Sequence, residues 1–253
     1  MTSKKWLGVL LYITIPLQFN SCGVDIENPI PPSSPVWIDK SLPLEWPERG
    51  VDAHESGGIF LQWYPVIGED IGKYYLHRAE WFESRDSLGE FEIVTMVPEN
   101  SASVLEYTDE SAIKRVRYYY KLKSENNSGM QSEFSESVSY KLITRVGTAG
   151  MKPNGLTDTL SQERTLSWNY DLDIAMEDYV ITLLSDESDL LYRNLLQPGN
   201  YTGSRETWDI PSNINLISGN IYLWRIDTGA NYEDGRETTG SESAWATFYY
   251  EDI

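Results

Sequence analysis

Two stretches, "GIFLQWYPV" (residues 58–66) and "RTLSWNYDL" (residues 164–172), decide how this chain is read, because both carry Leu-x-Trp, at Leu61/Trp63 and at Leu166/Trp168. Eleven residues after each Trp a Tyr opens an apolar run, "YYLHRAE" from Tyr74 and "YVITLLS" from Tyr179. Farther on, "YYYKLKS" from Tyr118 matches "YLWRIDT" from Tyr222, 55 and 54 residues beyond the respective Trp. The copies close alike, with "GMQSEFSESVSY" from Gly129 and "GSESAWATFYY" from Gly240. Order, spacing and residue type repeat together, so the chain is two copies of one unit.

Between these landmarks the segments are short, rich in β-branched and aromatic residues, and broken by Gly, Pro, Asn and Asp. "FEIVTMV" (residues 91–97) and "SVSYKLI" (residues 137–143) alternate as strands with one buried face do. Tyr118, Tyr120 and Leu122, and again Tyr222, Trp224 and Ile226, stand at period two, which puts three large side chains on one face of a strand. About seven strands per 100 residues with no amphipathic helix predict an all-β chain of antiparallel sandwiches.

These residues resemble a fibronectin type III domain. Leu61-x-Trp63, Tyr74, "FEIVTMV", "YTD" at residues 107–109, "YYYKLKS" and "NNSGMQSEFS" are similar to its strands B, C, C′, E and F and its F–G loop; the second copy adds "WDIP" from Trp208 and "LISGNIYLWRI" from Leu216. The resemblance implies two tandem immunoglobulin-like sandwiches, over residues 36–143 and over residues 144–253 with their linker. It also implies that Trp63 and Trp168 fill the two cores, and that Tyr118 and Tyr222 hold the tyrosine-corner position, where a hydroxyl ties back to backbone.

Ahead of the repeats lie Met-Thr-Ser-Lys-Lys, an apolar run "WLGVLLYITIPL" and then the only cysteine, Cys22. This is the layout of a secretory signal, and the run is shorter than the about 20 residues that span a bilayer. Ser21–Cys22 resembles the lipobox of bacterial lipoproteins, which implies cleavage before Cys22 and acylation of its thiol and new amino group; cleavage nearby with a free thiol is the alternative. Residues 1–21 are thus read as signal peptide and residues 22–35, rich in Pro, Ser and acids, as a tether. Asp25 and Glu27 resemble the acidic surface-export signals of Bacteroidota-type lipoproteins, which points to the outer membrane.

The formal charge is −19, from 39 acidic and 20 basic residues, and loss of Lys4 and Lys5 with the leader makes it more negative. Phosphate backbones and anionic lipid are repelled, so nucleic acid is excluded as a partner and membrane attachment falls to acyl chains. Enzyme signatures are thin. There are two histidines, and no nucleophile elbow, phosphate-cradling loop, His-Glu-x-x-His or paired Cys motif, so neither catalysis nor a cofactor is expected.

Three clusters remain. Asp171, Asp173 and Asp178 fall in the expected B–C loop of the second copy and Asp234 in its F–G loop; these hard oxygen ligands are calcium candidates, against a solvated acidic end. Lys114, Arg115 and Arg117 form a basic E–F stretch expected to face those acids across the domain junction. Trp81 and Phe82, in the expected C–C′ turn, are candidate partner contacts. The reading is a non-catalytic, lipid-anchored envelope protein that presents two domains for protein interaction or adhesion. The alternatives are a carbohydrate-binding accessory to polysaccharide uptake, or a structural spacer.

Overall fold

The computed structural model describes residues 30–41, 47–160, 162–169, 178–196, 205–233 and 236–252. The N-terminal unit contains β1 (Val36–Trp37), β2 (Asp39–Lys40), β3 (Glu48–Arg49), β4 (Val51–Ala53), β5 (Ile59–Tyr64), β6 (Ile71–Phe82), β7 (Ser87–Leu88), β8 (Glu92–Pro98), β9 (Leu105–Asp109), β10 (Arg117–Asn126) and β11 (Val138–Leu142). One sheet sets β5 between β9 and a split edge made by β1 and β4; the other runs β8-β6-β10-β11. Trp63, Tyr74, Leu76, Tyr120 and Leu122 fill the space between them with no exposed surface, and Trp37 packs edge-on to Trp63. Alternation of buried and half-buried residues along β5 and β10 is what a half-buried strand requires.

The split edge reflects an excursion. Trp37 pairs with Trp63 and Val51 with Leu61, while β2 and β3 between them pair with each other, Asp39 opposite Arg49. The chain re-enters at Gly50, whose φ is +60° and where a Cβ would lie 2.5 Å from the Gln62 carbonyl, so a glycine is needed there. Residues 30–35 lie against this unit: Ser124 Oγ donates to the Ser33 carbonyl at 2.7 Å, and Ser33 Oγ to Glu69 at 2.6 Å.

The C-terminal unit contains β12 (Thr159–Leu160), β13 (Thr165–Trp168), β14 (Asp178–Ser185), β15 (Leu190–Leu196), β16 (Glu206–Asp209), β17 (Ile221–Glu233), β18 (Arg236–Glu242) and β19 (Ala246–Tyr250). β13 pairs with β16, and β15-β14-β17 form the facing sheet; β19 pairs with the first part of β17 and β18 with the rest. Trp168, Tyr179, Ile181, Trp224 and Phe248 make its core. The chain is therefore two antiparallel, immunoglobulin-like β-sandwiches, as the repeat implies. β17 runs to Glu233 and β18 from Arg236, and the two pair antiparallel as a long ribbon.

That ribbon joins the units. β18 lies parallel to β11, with Lys141 opposite Thr239 and Leu142 opposite Gly240, and the Ile143 amide donates to the Gly240 carbonyl at 3.0 Å. Eight strands thus run side by side, β8-β6-β10-β11-β18-β17-β14-β15. Leu142 packs in the first core and Ile143 in the second. Consecutive residues of an extended strand point to opposite faces, so the two cores sit on opposite faces of the shared sheet.

Candidate interaction surface

On β6 and β10 the side chains that do not enter the core form cross-strand rows. Ile93 is opposite His77, and His77 opposite Lys121; Met96 is opposite Tyr75, and Tyr75 opposite Lys123. Aromatic rings bind the rows together. The Phe134 ring meets the His77 ring edge-on at 4.9 Å and lies 6.3 Å from Phe91. Lys121 Nζ sits over Phe91 at 4.6 Å, and Lys123 Nζ over Phe134 at 4.5 Å. Among the described residues no carboxylate pairs with either ammonium, in a chain with 39 acids. Ile93 and Met96 are each 56 % exposed and Phe134 39 %.

Electrostatics sharpen the face. Burial, with the Lys123 charge second, lowers the His77 pKa, which favours the neutral ring at pH 7. At the end of the rows Glu125 is held down to about 2 by hydrogen bonds from Gln131, Lys73 and Tyr75. Lys121 and Lys123 have no carboxylate partner among the described residues, and each ammonium lies over an aromatic ring.

Beneath this face, Arg78 Nη1 meets the fully buried Asp109 at 2.7 Å and its guanidinium lies over the Tyr118 ring at 4.5 Å; Tyr120 donates to the same carboxylate at 2.8 Å. Burial, with the Asp109 charge second, pushes the Tyr120 hydroxyl up, so this is a fixed strut between sheets. The tyrosine corner holds in one copy only. The Ile217 amide donates to the Tyr222 hydroxyl at 2.7 Å, whereas Tyr118 makes no such backbone bond and serves as the platform for Arg78.

Trp81 and Phe82 end β6 at the expected turn. Trp81 is half-buried, 6.0 Å from the Tyr119 ring on the same outward face, and Phe82 lies under the Arg85 guanidinium at 4.1 Å. Glu83 in the turn reaches back to Lys141 at 2.7 Å. Trp81 therefore lengthens a face whose centre is Lys121, Lys123, Phe91 and Phe134. Those four were legible in part: the alternation that buries Tyr118, Tyr120 and Leu122 places Lys121 and Lys123 on the opposite side.

The corresponding face of the second sandwich is closed. Thr182, Val180 and Asp227 are buried, Arg225 bonds Glu242 at 2.8 Å and Asp227 at 3.1 Å, and Arg193 Nε donates to Thr182 at 3.3 Å. Arg193, Arg225 and Glu242 line a cavity of about 250 Å³ together with Lys40, Glu48 and Asp52 of the first sandwich. Asp52 has its carboxyl raised well above the usual range by burial, then by the nearby charges of Glu48 and Asp227.

Of the basic E–F stretch, Arg117 spans the junction, but its partners are neutral: the Thr238 carbonyl at 3.2 Å, Thr239 Oγ1 at 2.9 Å and Ser139 Oγ at 3.1 Å. Lys114 lines a small cleft with Ser241 and Glu242, and the Arg115 amide donates to the Leu142 carbonyl at 2.7 Å. Asp178 is buried and is the first residue of β14. Asp171, Asp173 and Cys22 lie outside the described residues, as does Asp234. Among the described residues no three His, Cys, Asp or Glu side chains gather as a metal site, and no helix is long and apolar enough to cross a membrane.

No protein-family model and no curated protein matches the chain. Solved structures similar to it include the chicken CNTN1 FN1–FN3 domains, 14 % identical with a TM-score of 0.34, covering 87 % of this chain and 68 % of that one. The chicken interferon gamma receptor alpha chain is 14 % identical with a TM-score of 0.33, covering 86 % and 98 %. The C. elegans twitchin kinase region is 15 % identical with a TM-score of 0.29; the match covers 44 % of this chain and 17 % of that one. The fold assignment rests on the strand pairing and the two cores.

Proposed function

We propose that this chain is a non-catalytic, lipid-anchored cell-envelope protein whose two fibronectin type III-like domains act as one unit that presents a surface for protein–protein interaction. The observation that carries the reading is the open face of the first sandwich, where Lys121 and Lys123 stand unpaired with carboxylates above Phe91 and Phe134, beside exposed Ile93 and Met96. Aromatic rings, aliphatics and cations grouped on one rigid sheet are the composition of a contact surface rather than of a reaction centre. The junction supports presentation as one body, since paired backbone resists bending better than exposed ion pairs. Anchoring is supported by Cys22 alone in a chain whose two cores use no cysteine.

Crosslinking and capture from native membranes, with the wild-type chain and with a Lys121→Glu, Lys123→Glu chain, test the interaction. A partner held by the first and lost from the second is expected; equal capture by both would move the surface elsewhere. Mass spectrometry of the mature chain tests the anchor, and an unmodified Cys22 thiol would rule it out. Half-buried Trp81 beside Tyr119 favours carbohydrate binding as the second reading, and predicts tryptophan fluorescence shifts on adding glycans.

A further inference from the structure

We propose that β8 and the face beside it take up an extended acidic segment of a partner protein as an added strand. This rests on the interaction reading above and names the partner's chemistry. Among the described residues β8 pairs with β6 alone, so one side of it offers unpaired amides and carbonyls. The opposite edge of the same sheet is closed by β18, laid along β11 by the second sandwich. Strand addition is thus the means by which the four strands of the first sandwich already bind the second, and β8 is the edge those four leave open.

The side chains above the edge define what fits. Phe91, just ahead of β8, and Ile93 and Met96 on its solvent face give an apolar row, with Ile93 and Met96 each 56 % exposed. The Lys121 ammonium is carried across β6 to lie over Phe91, immediately before β8 begins. An added strand of five residues spans about 17 Å. Its alternate side chains on this face would cover Ile93 and Met96 and bring a carboxylate to Lys121. Ile93 and Met96 offer a sugar no hydrogen bond, whereas a peptide satisfies both the free backbone edge and the apolar row. Because the remainder of the chain is strongly acidic, an acidic segment is steered to this cationic patch and away from other surfaces.

The probe is a ten-residue peptide alternating Val and Glu, with one alternating Val and Lys as its charge-reversed control, added to the full chain. Amide hydrogen exchange and calorimetry are the readouts. The Val/Glu peptide is expected to slow exchange at alternate amides of residues 92–97, and the Lys121→Glu, Lys123→Glu chain to bind it at least tenfold more weakly while gaining affinity for the Val/Lys peptide. If that double variant misfolds, Met96→Glu serves instead, because it places a like charge on the edge at an exposed site; the same loss is expected. Absent protection at residues 92–97, or binding indifferent to charge reversal, overturns the proposal. Should membrane capture of a partner depend on Lys121 and Lys123 while β8 gains no protection, strand addition fails and the interaction reading stands. Should neither chain capture a partner, yet β8 be protected with the expected charge preference, the strand inference stands and the interaction reading loses its support.

Discussion

The same sheet face meets opposite fates in the two sandwiches. In the first, the row Ile93–His77–Lys121 is open to solvent; in the second, the row in the same place, Arg193–Thr182–Arg225, is closed over by its neighbour. In the next row, Met96–Tyr75–Lys123 against Leu195–Val180–Asp227, the contrast holds for Val180 and Asp227, which are buried, while Leu195 stays exposed. The cause is geometric. With the cores on opposite faces of one sheet, the outward face of the second sandwich looks toward the side on which the first is built, and the β2–β3 excursion of the first brings Lys40 and Glu48 over it. A covered face selects polar groups that pair with each other; an open one retains rings and unpaired ammoniums. The difference teaches that equivalent faces of the two repeats diverge with position, one buried at the junction and the other left open.

The contrast breaks first at its most asymmetric pair. Thr182→Lys places a charge at a fully buried position and should cost about 3 kcal/mol or more of stability, while His77→Lys in the same place of the open face should stay within about 1 kcal/mol. Chemical denaturation of both variants measures it, and equal costs would mean the second face is not covered. Next is Arg117→Ala, which removes bonds to Thr238 and Thr239 and should weaken the junction by about 1–2 kcal/mol, seen as separate unfolding of the two units.

Asp52 sharpens the comparison through pH. Its folded pKa is raised, so its favourable contribution is present below the ordinary carboxylate range and is lost as pH rises through the raised value. Asp52→Asn should therefore stabilise the chain by about 1 kcal/mol at pH 7.5, with the gain shrinking toward pH 4; melting profiles across that range would show it. The smallest effect belongs to the open face: Lys121→Glu with Lys123→Glu should cost about 1 kcal/mol or less, the loss of two solvent-facing cation–π contacts, since neither ammonium has a carboxylate to lose.

Much of the fold was legible because it is local and periodic. Leu-x-Trp, the Tyr spacings and alternation along "YYYKLKS" place strands, cores and even the outward lysines. The junction was not legible, since pairing of β11 with β18 depends on where a long ribbon happens to lie, and "LITRVG" and "ETTGSE" carry no mark of being neighbours. Thr228, Thr239 and Ser241, which are small, polar and buried, mark the ribbon packed at the junction, and no spacing in the sequence sets them apart from surface residues. Tyr118 lies under the Arg78 guanidinium, a contact between separate strands that spacing does not reveal.

The central claim is that one sheet runs through both sandwiches, covering one face and leaving the other free. Lys141 and Thr239 face each other across that seam. In a Cys22→Ala background, Lys141→Cys with Thr239→Cys should close an intramolecular disulfide under mild oxidation, read by intact mass as the loss of two hydrogens, because neighbouring strands hold Cα atoms within disulfide reach. Two thiols that stay reduced in a folded chain would contradict a shared sheet and leave the two faces equivalent.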